Sequence, residues 1–145
     1  MKALLQRVSD ASVNVDGNCI GQIKQGLVVL LGIDKGDSEE SARRLAEKVI
    51  NYRVFADDMG KMNLSLLGKK AELLVVSQFT LSANTHKGLR PSFTTAAPPN
   101  EARILYELFV SCCREKVTKV ETGSFAADMQ VRLLNDGPVT FMLEV

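Results

Sequence analysis

Gly26-Leu27-Val28-Val29-Leu30-Leu31-Gly32-Ile33 is the longest apolar run in the chain. Odd and even positions are equally apolar, so a strand here has both faces covered and lies inside a sheet. The run is far short of the roughly 18 residues that a membrane span needs. Upstream, Lys2 to Val15 alternates loosely and is rich in valine. It reads as one long strand or two short ones, with a bend at Ser9-Asp10-Ala11. Asp16-Gly17-Asn18 is a hairpin signal, and Cys19 to Lys24 is the strand after it.

Downstream, Asp37-Ser38-Glu39-Glu40 opens a helix. Asp37 is the expected cap, with Glu40 in the capping-box position three residues on. Ala42, Leu45, Ala46, Val49 and Ile50 then fall on one face, and Arg43, Arg44 and Lys48 lie around the rest. Tyr52 to Phe55 reads as a short strand, Lys61 to Leu66 as extended chain, and Gly68-Lys69-Lys70 as a turn. Glu72 to Phe79 is a strong buried strand. Thr80 to Pro99 holds Gly88, Pro91, Pro98 and Pro99 and is too long for a mere connection; ordered loops of that length are usually functional. Asn100 to Lys116 is the second main helix, with Ile104, Leu105, Leu108, Phe109 and Cys112 on its apolar side. Two strands close the chain, around Ala127 to Leu134 and Val139 to Val145. Strands outnumber helices and the first ones follow each other without helical crossovers. The expected fold is therefore α+β with a mostly antiparallel sheet, in one domain spanning 1–145.

Between the last two strands stands Asn135-Asp136-Gly137-Pro138-Val139-Thr140. Proline cannot donate to a sheet ladder, so Pro138 belongs at an edge, a bulge or a turn. Glycine before it reaches backbone angles closed to other residues. An X-Pro bond also adopts cis at a penalty of only about 0.5–1 kcal/mol. The pair is thus either a turn or a rigid backbone device.

The composition narrows the function. The chain has 145 residues, 46% hydrophobic and 24% charged, with a net charge of +1. That balance gives no global argument for nucleic-acid binding, although it leaves room for a local basic patch. The opening Met1-Lys2-Ala3-Leu4-Leu5-Gln6-Arg7 is too short and too soon charged for a signal peptide, so a cytoplasmic protein without a membrane partner is expected. The cysteines are Cys19, Cys112 and Cys113, an odd set with an adjacent pair and no zinc spacing, read as reduced and structural. The one histidine, His86, lies beside Lys87 in a loop and reads as a surface residue.

The usual catalytic constellations are missing. There is no phosphate loop before a helix, no nucleophile elbow and no metal cluster, so neither metal nor cofactor is expected. What remains is Ser77-Gln78-Phe79-Thr80, where polar residues emerge from the strongest buried strand. Thr80 is a nucleophile by residue type, but no base is visible to activate it. Main-chain N–H groups at the strand end suit a developing oxyanion better. A plain strand terminus with satisfied hydroxyls is the simpler alternative. Gly88 to Phe93 adds a turn, a cation and an aromatic, and with Lys87 forms a small basic patch.

Taken together, Ser77 to Leu81, Arg90-Pro91-Ser92-Phe93 and Asn135 to Thr140 resemble the D-aminoacyl-tRNA deacylase family. Leu5-Gln6-Arg7-Val8, Gly60 to Leu64 and Phe125 to Val131 extend the resemblance over essentially the full length. It implies a barrel-like deacylase fold and a homodimer with the active site at the subunit interface. It implies aminoacyl-tRNA as partner and substrate, and hydrolysis of the D-aminoacyl ester, and of glycine mischarged on alanine tRNA, without metal. The resemblance makes Gly137-Pro138 a cis pair that reaches into the partner's pocket and rejects L-amino acids. Ser77, Gln78, Phe79 and Thr80 become the catalytic segment, with the N–H groups of Phe79 and Thr80 at the oxyanion and the tRNA's own 2′-OH assisting. Phe125 and Met129 become the cradle of the terminal adenosine. Arg7, Lys87, Arg90 and Lys119 are candidate phosphate contacts. The alternative is a non-catalytic RNA-binding module using the same groove.

Overall fold

The computed structural model describes residues 1–145. The apolar run becomes β3 (Gly26–Gly32), buried on both faces except at Leu30. It follows β1 (Lys2–Val15) and β2 (Asn18–Ile23). Next come α1 (Glu39–Asn51), a small hairpin of β4 (Phe55–Ala56) and β5 (Met62–Leu64), a single turn of helix α2 (Leu66–Lys69), and β6 (Glu72–Ser77). A short 3-10 turn, Phe79–Ser82, leads into the long loop. The chain ends with α3 (Pro99–Arg114), β7 (Val120–Thr122) and β8 (Gln130–Glu144).

β1 organises the sheet. One of its edges is taken by β8 along nearly its whole length, and the other is shared, first by β3 over Lys2–Val8 and then by β2 over Ala11–Val15. The expected bend at Ser9-Asp10 is where one partner replaces the other. Ala3, Leu5, Val8, Ala11 and Val13 are the buried side chains of β1. The two steps of three in that series, instead of two, mark register shifts against β8. The sheet runs β2-β1-β3-β6-β7. The β1 pairings are antiparallel, whereas β3–β6 and β6–β7 are parallel because α1 and α3 provide the crossovers. At its far edge β2 folds onto β7, so close that a side chain at Gly21 would meet the Thr122 carbonyl at 2.8 Å. The result is the α+β, nearly closed, barrel-like sheet, antiparallel in most of its pairs.

The core lies on both faces of this sheet. The larger cluster joins Leu5, Val29, Leu31, Leu73 and Val75 to Leu45 and Val49 of α1 and to Phe109 and Cys113 of α3. A smaller one, with Val8, Val13, Ile23, Val28, Leu74 and Val76, fills the barrel side. All three cysteines are free, and burial pushes the Cys113 thiol up to about 12.

Several local readings need correction. Tyr52 to Val54 precede the strand, which is β4, and Ile104 is exposed, the buried face of α3 being Leu105, Tyr106, Phe109, Val110 and Cys113. The cap of α1 is Ser38, and its reciprocal partner is Ser41, not Glu40. Asp37 is already engaged, accepting from the N-terminal ammonium at 2.6 Å and from the Asp34 N–H at 2.7 Å. Lys61 to Leu66 divides between β5 and the start of α2, and the turn falls at Lys70, in the left-handed region at φ 53°. β6 stops at Ser77, before Phe79. The two closing strands are one, β8, which carries Asp136 to Val139 as an outward bulge between residues that pair with Val8 and Gln6.

Candidate active site

The site begins where β6 runs out of partners. Gln78 N–H still donates to the Leu31 carbonyl at 2.8 Å. The chain then turns into the 3-10 segment, in which Leu81 N–H returns to Gln78 O and Ala83 N–H to Thr80 O. That geometry leaves the N–H groups of Phe79 and Thr80 with no backbone acceptor. The first donors of any helical turn are orphaned in this way. Thr80 Oγ1 accepts a hydrogen bond from Gln78 Nε2, and no carboxylate or imidazole bonds to it. Phe79 projects its ring to solvent, supported by Phe93 at a centroid distance of 5.1 Å.

An apolar cleft of about 500 Å³ opens beside this strand end. Ser77, Gln78 and Phe79 form one side of it. Ala96 and Ala97 form a second, where the long loop returns and Ala97 N–H donates to the Ile33 carbonyl at 3.0 Å. Phe125 to Met129 form the third. Phe125 leans on Tyr106, with centroids 5.7 Å apart, and carries the Arg103 guanidinium 5.0 Å from its ring centre. Tyr106 is fixed in turn by donating to the Val75 carbonyl at 2.9 Å, and burial raises its phenol to about 12. Met129 packs its thioether where a side chain at Gly123 would have to sit.

The structure therefore gathers Ser77, Gln78, Phe79, Phe125 and Met129 around one cleft and sets Thr80 one residue beyond it. It does not bring Gly137 and Pro138 there. Both are exposed on the β8 bulge, outside the cleft of their own chain. The Gly137–Pro138 peptide is cis, and Gly137 has φ 137°. The bulge is held from within and from outside. Asn135 closes it, accepting from Val139 N–H at 2.9 Å and donating to Val139 O at 3.2 Å. Arg7 ties it to the body, with Nε 3.1 Å from both Asp136 O and Asp136 Oδ2 and Nη1 2.7 Å from Val54 O.

Arg7 is thus a brace for the bulge, and Lys119 is paired with Glu72 at 3.1 Å. Lys87 and Arg90 stay exposed. His86 is exposed, as a surface residue should be. Sequence reasoning missed the Arg7 and Asn135 braces, because Arg7 meets Asp136 across 129 positions of chain. It also missed Asp128, the one ionisable side chain lining the cleft, and Arg103 on the Phe125 ring. No three His, Cys, Asp or Glu side chains converge anywhere in the chain.

Residues 4–144 match the family model described as D-Tyr-tRNA(Tyr) deacylase. The chain is 61% identical over 145 residues to the D-aminoacyl-tRNA deacylase of Haemophilus influenzae (strain PittGG), covering 100% of both. It is 58% identical over 144 residues to that of Pectobacterium atrosepticum, covering 99% of each. Among solved structures it is similar to the c-Myc DNA Unwinding Element Binding Protein, with a TM-score of 0.95 at 42% identity, over 100% of this chain and 99% of that one. Fold and likeness together define a hydrolase of aminoacyl-tRNA that serves translation quality control. The chain belongs to the D-aminoacyl-tRNA deacylase family, and as an enzyme it hydrolyses D-aminoacyl-tRNA. This sets aside the non-catalytic RNA-binding module. No helix is long and apolar enough to cross a membrane.

Proposed function

We propose that the enzyme acts in the cytoplasm as a homodimer, in which each Gly137–Pro138 bulge enters the partner's cleft and rejects L-aminoacyl esters by its backbone. The observation that carries this reading is the placement of the bulge. It is exposed and outside its own cleft, yet braced by Arg7 and Asn135 as a mobile turn would not need to be. A rigid protrusion of that kind suits a second copy of the same chain. Backbone carbonyls hold the substrate's amino group and occupy the space of an L side chain, while a D side chain points to solvent. Rejection by a wall needs no tuned side-chain pocket, so many D-amino acids are accepted. Glycine, without a side chain, passes the same wall, and glycine carried on alanine tRNA is a substrate.

The chemistry is assigned to backbone and RNA. The terminal adenosine lies against Phe125 and Met129, where an aromatic face suits a base. Water adds to the ester carbonyl while the neighbouring 2′-OH assists. The free N–H groups of Phe79 and Thr80 hold the oxyanion. Collapse breaks the bond to the ribose 3′-oxygen, which leaves with a proton, and the acid is released as the D-amino acid. Support comes from the cleft itself, whose one ionisable lining residue is Asp128 and in which Thr80 Oγ1 is engaged by Gln78. The test is D-Tyr-tRNA ending in 2′-deoxyadenosine. Turnover should fall by at least about a hundredfold, the range a positioned proton-transfer group contributes. Undiminished turnover would overturn the RNA-assisted mechanism.

A further inference from the structure

The stretch Leu73 to Asn100 contains no aspartate or glutamate, where an even spread of the chain's 17 acids would place about three. It does contain His86, Lys87 and Arg90. In the fold this stretch separates the active-site cleft from a second one of about 460 Å³. Three segments pass from the first cleft directly into the second. Ile33 lines the first and Lys35 the second; Phe79 lines the first and Ser82 the second; Ala96 lines the first and Thr95 the second. The two clefts are therefore neighbours with opposite character, one apolar and one polar.

The second cleft suits an anion. Its only acid, Asp34, is already matched, with Oδ2 3.2 Å from Lys2 Nζ and 3.8 Å from the N-terminal ammonium. Lys35 lines this cleft, and Lys87 and Arg90 stand on the loop whose His86 lines it; all three are exposed, and none takes part in the chain's seven ion pairs. The loop that carries Lys87 and Arg90 has a clamped base. Asn84 and Ser92 exchange backbone hydrogen bonds of 2.7 and 3.1 Å, and Phe93 beside them rests on Phe79. The base of the loop is thus fixed next to the strand end, and both cations lie between its clamping residues.

We infer that this acid-free segment, together with Lys35 beside the second cleft, is the docking surface for the phosphates of the tRNA's single-stranded 3′ end, which leaves the apolar cleft across Lys35, Lys87 and Arg90. The inference rests on the deacylase reading and adds the path of the nucleic acid to it. With a net charge of +1 the protein has little long-range pull on RNA, so its grip must come from a local cluster such as this. Phosphates bound by cations release counterions, which gives the surface a salt signature.

The experiment compares the intact chain with a Lys35→Ala/Lys87→Ala/Arg90→Ala variant on two substrates, D-Tyr-tRNA and the D-tyrosyl ester of adenosine, which has no phosphate. The ratio of kcat/KM on tRNA to that on the adenosine ester should fall by at least about tenfold in the variant. The plot of log kcat/KM on tRNA against log salt should become shallower by about two, at roughly 0.7 for each single-strand phosphate that is no longer neutralised. A ratio and a slope that stay as in the intact chain, or equal losses on both substrates, overturn the inference. Filter retention of uncharged tRNA decides the matter without turnover: retention by the intact chain that drops at least about tenfold in the variant supports the surface, and equal retention overturns it. If the intact chain cleaves neither ester yet shows that drop, the deacylase reading fails while the docking surface stands.

Discussion

Arg7 is the side chain on which the Gly137–Pro138 bulge depends. One guanidinium holds Asp136 by backbone and carboxylate and reaches Val54 O in the connection between α1 and β4. Arg7→Ala strands these acceptors, and unfolding in urea should show a loss of about 2 kcal/mol. Arg7→Lys should recover little of it, since a single ammonium cannot span both sites in the manner of a planar fork. Gly137 is equally constrained. At φ 137° a side chain there is strained, and its Cβ would lie 2.6 Å from Val139 Cγ2 and 2.9 Å from Val139 N. Gly137→Ala should distort the bulge and blunt discrimination between D- and L-Tyr-tRNA, while Thr80→Ala should keep at least about a tenth of kcat if only a hydrogen bond to Gln78 is lost. Steady-state kinetics on the two variants separates these roles, and a Thr80→Ala enzyme that is folded but dead would make Thr80 the nucleophile.

At the scale of elements, Glu72 joins the turn between β2 and β3 to the start of β6 and the approach to β7. It accepts from the Lys24 N–H at 2.7 Å and from Lys119 Nζ at 3.1 Å. Burial acts to raise its carboxyl, but the two donors outweigh burial and hold it below the ordinary 4.5. The folded state thus favours the charged form, so this stabilisation is present above pH 4.5 and is lost as the pH falls through the lowered folded value. Glu72→Gln should lower the urea midpoint at neutral pH and have progressively less effect as the pH falls through the lowered folded value. A drop that stays the same down to acid pH would contradict the linkage. The cap of α1 is a smaller matter: Ser38→Ala should cost about 1 kcal/mol by the same measurement. That cap also shows where reading the sequence succeeds and fails. The apolar face Ala42, Leu45, Ala46, Val49 and Ile50 was legible, because periodicity reports burial. The sequence points to Asp37 instead of Ser38 because Asp37's engagement with the N-terminus, 36 positions away, leaves no local trace. The closing strand was split for a related reason. A four-residue bulge breaks the local pattern, and only the pairing with β1 shows that the strand resumes.

For the whole molecule, the strand-end segment is legible from its residue types, polar groups leaving a buried strand, whereas the Phe125–Met129 wall is legible only through the family resemblance. Their meeting in one cleft is not legible, because it depends on the crossovers of α1 and α3 that carry β6 and β7 to the edge of the sheet. Gly137–Pro138 lies outside that cleft, as a pair that serves a partner's cleft would have to. This placement leads to a prediction about assembly: the chain should sediment as a dimer. It should also complement in trans, a Gly137→Ala subunit regaining discrimination at one site when paired with a subunit damaged at Phe79. Stereospecific hydrolysis is the property that decides between these roles. Incubated side by side under single-turnover conditions, D-Tyr-tRNA should be deacylated by the enzyme and L-Tyr-tRNA should remain at its spontaneous rate. Equal rates on the two, or no enzymatic hydrolysis of the D form, would contradict it.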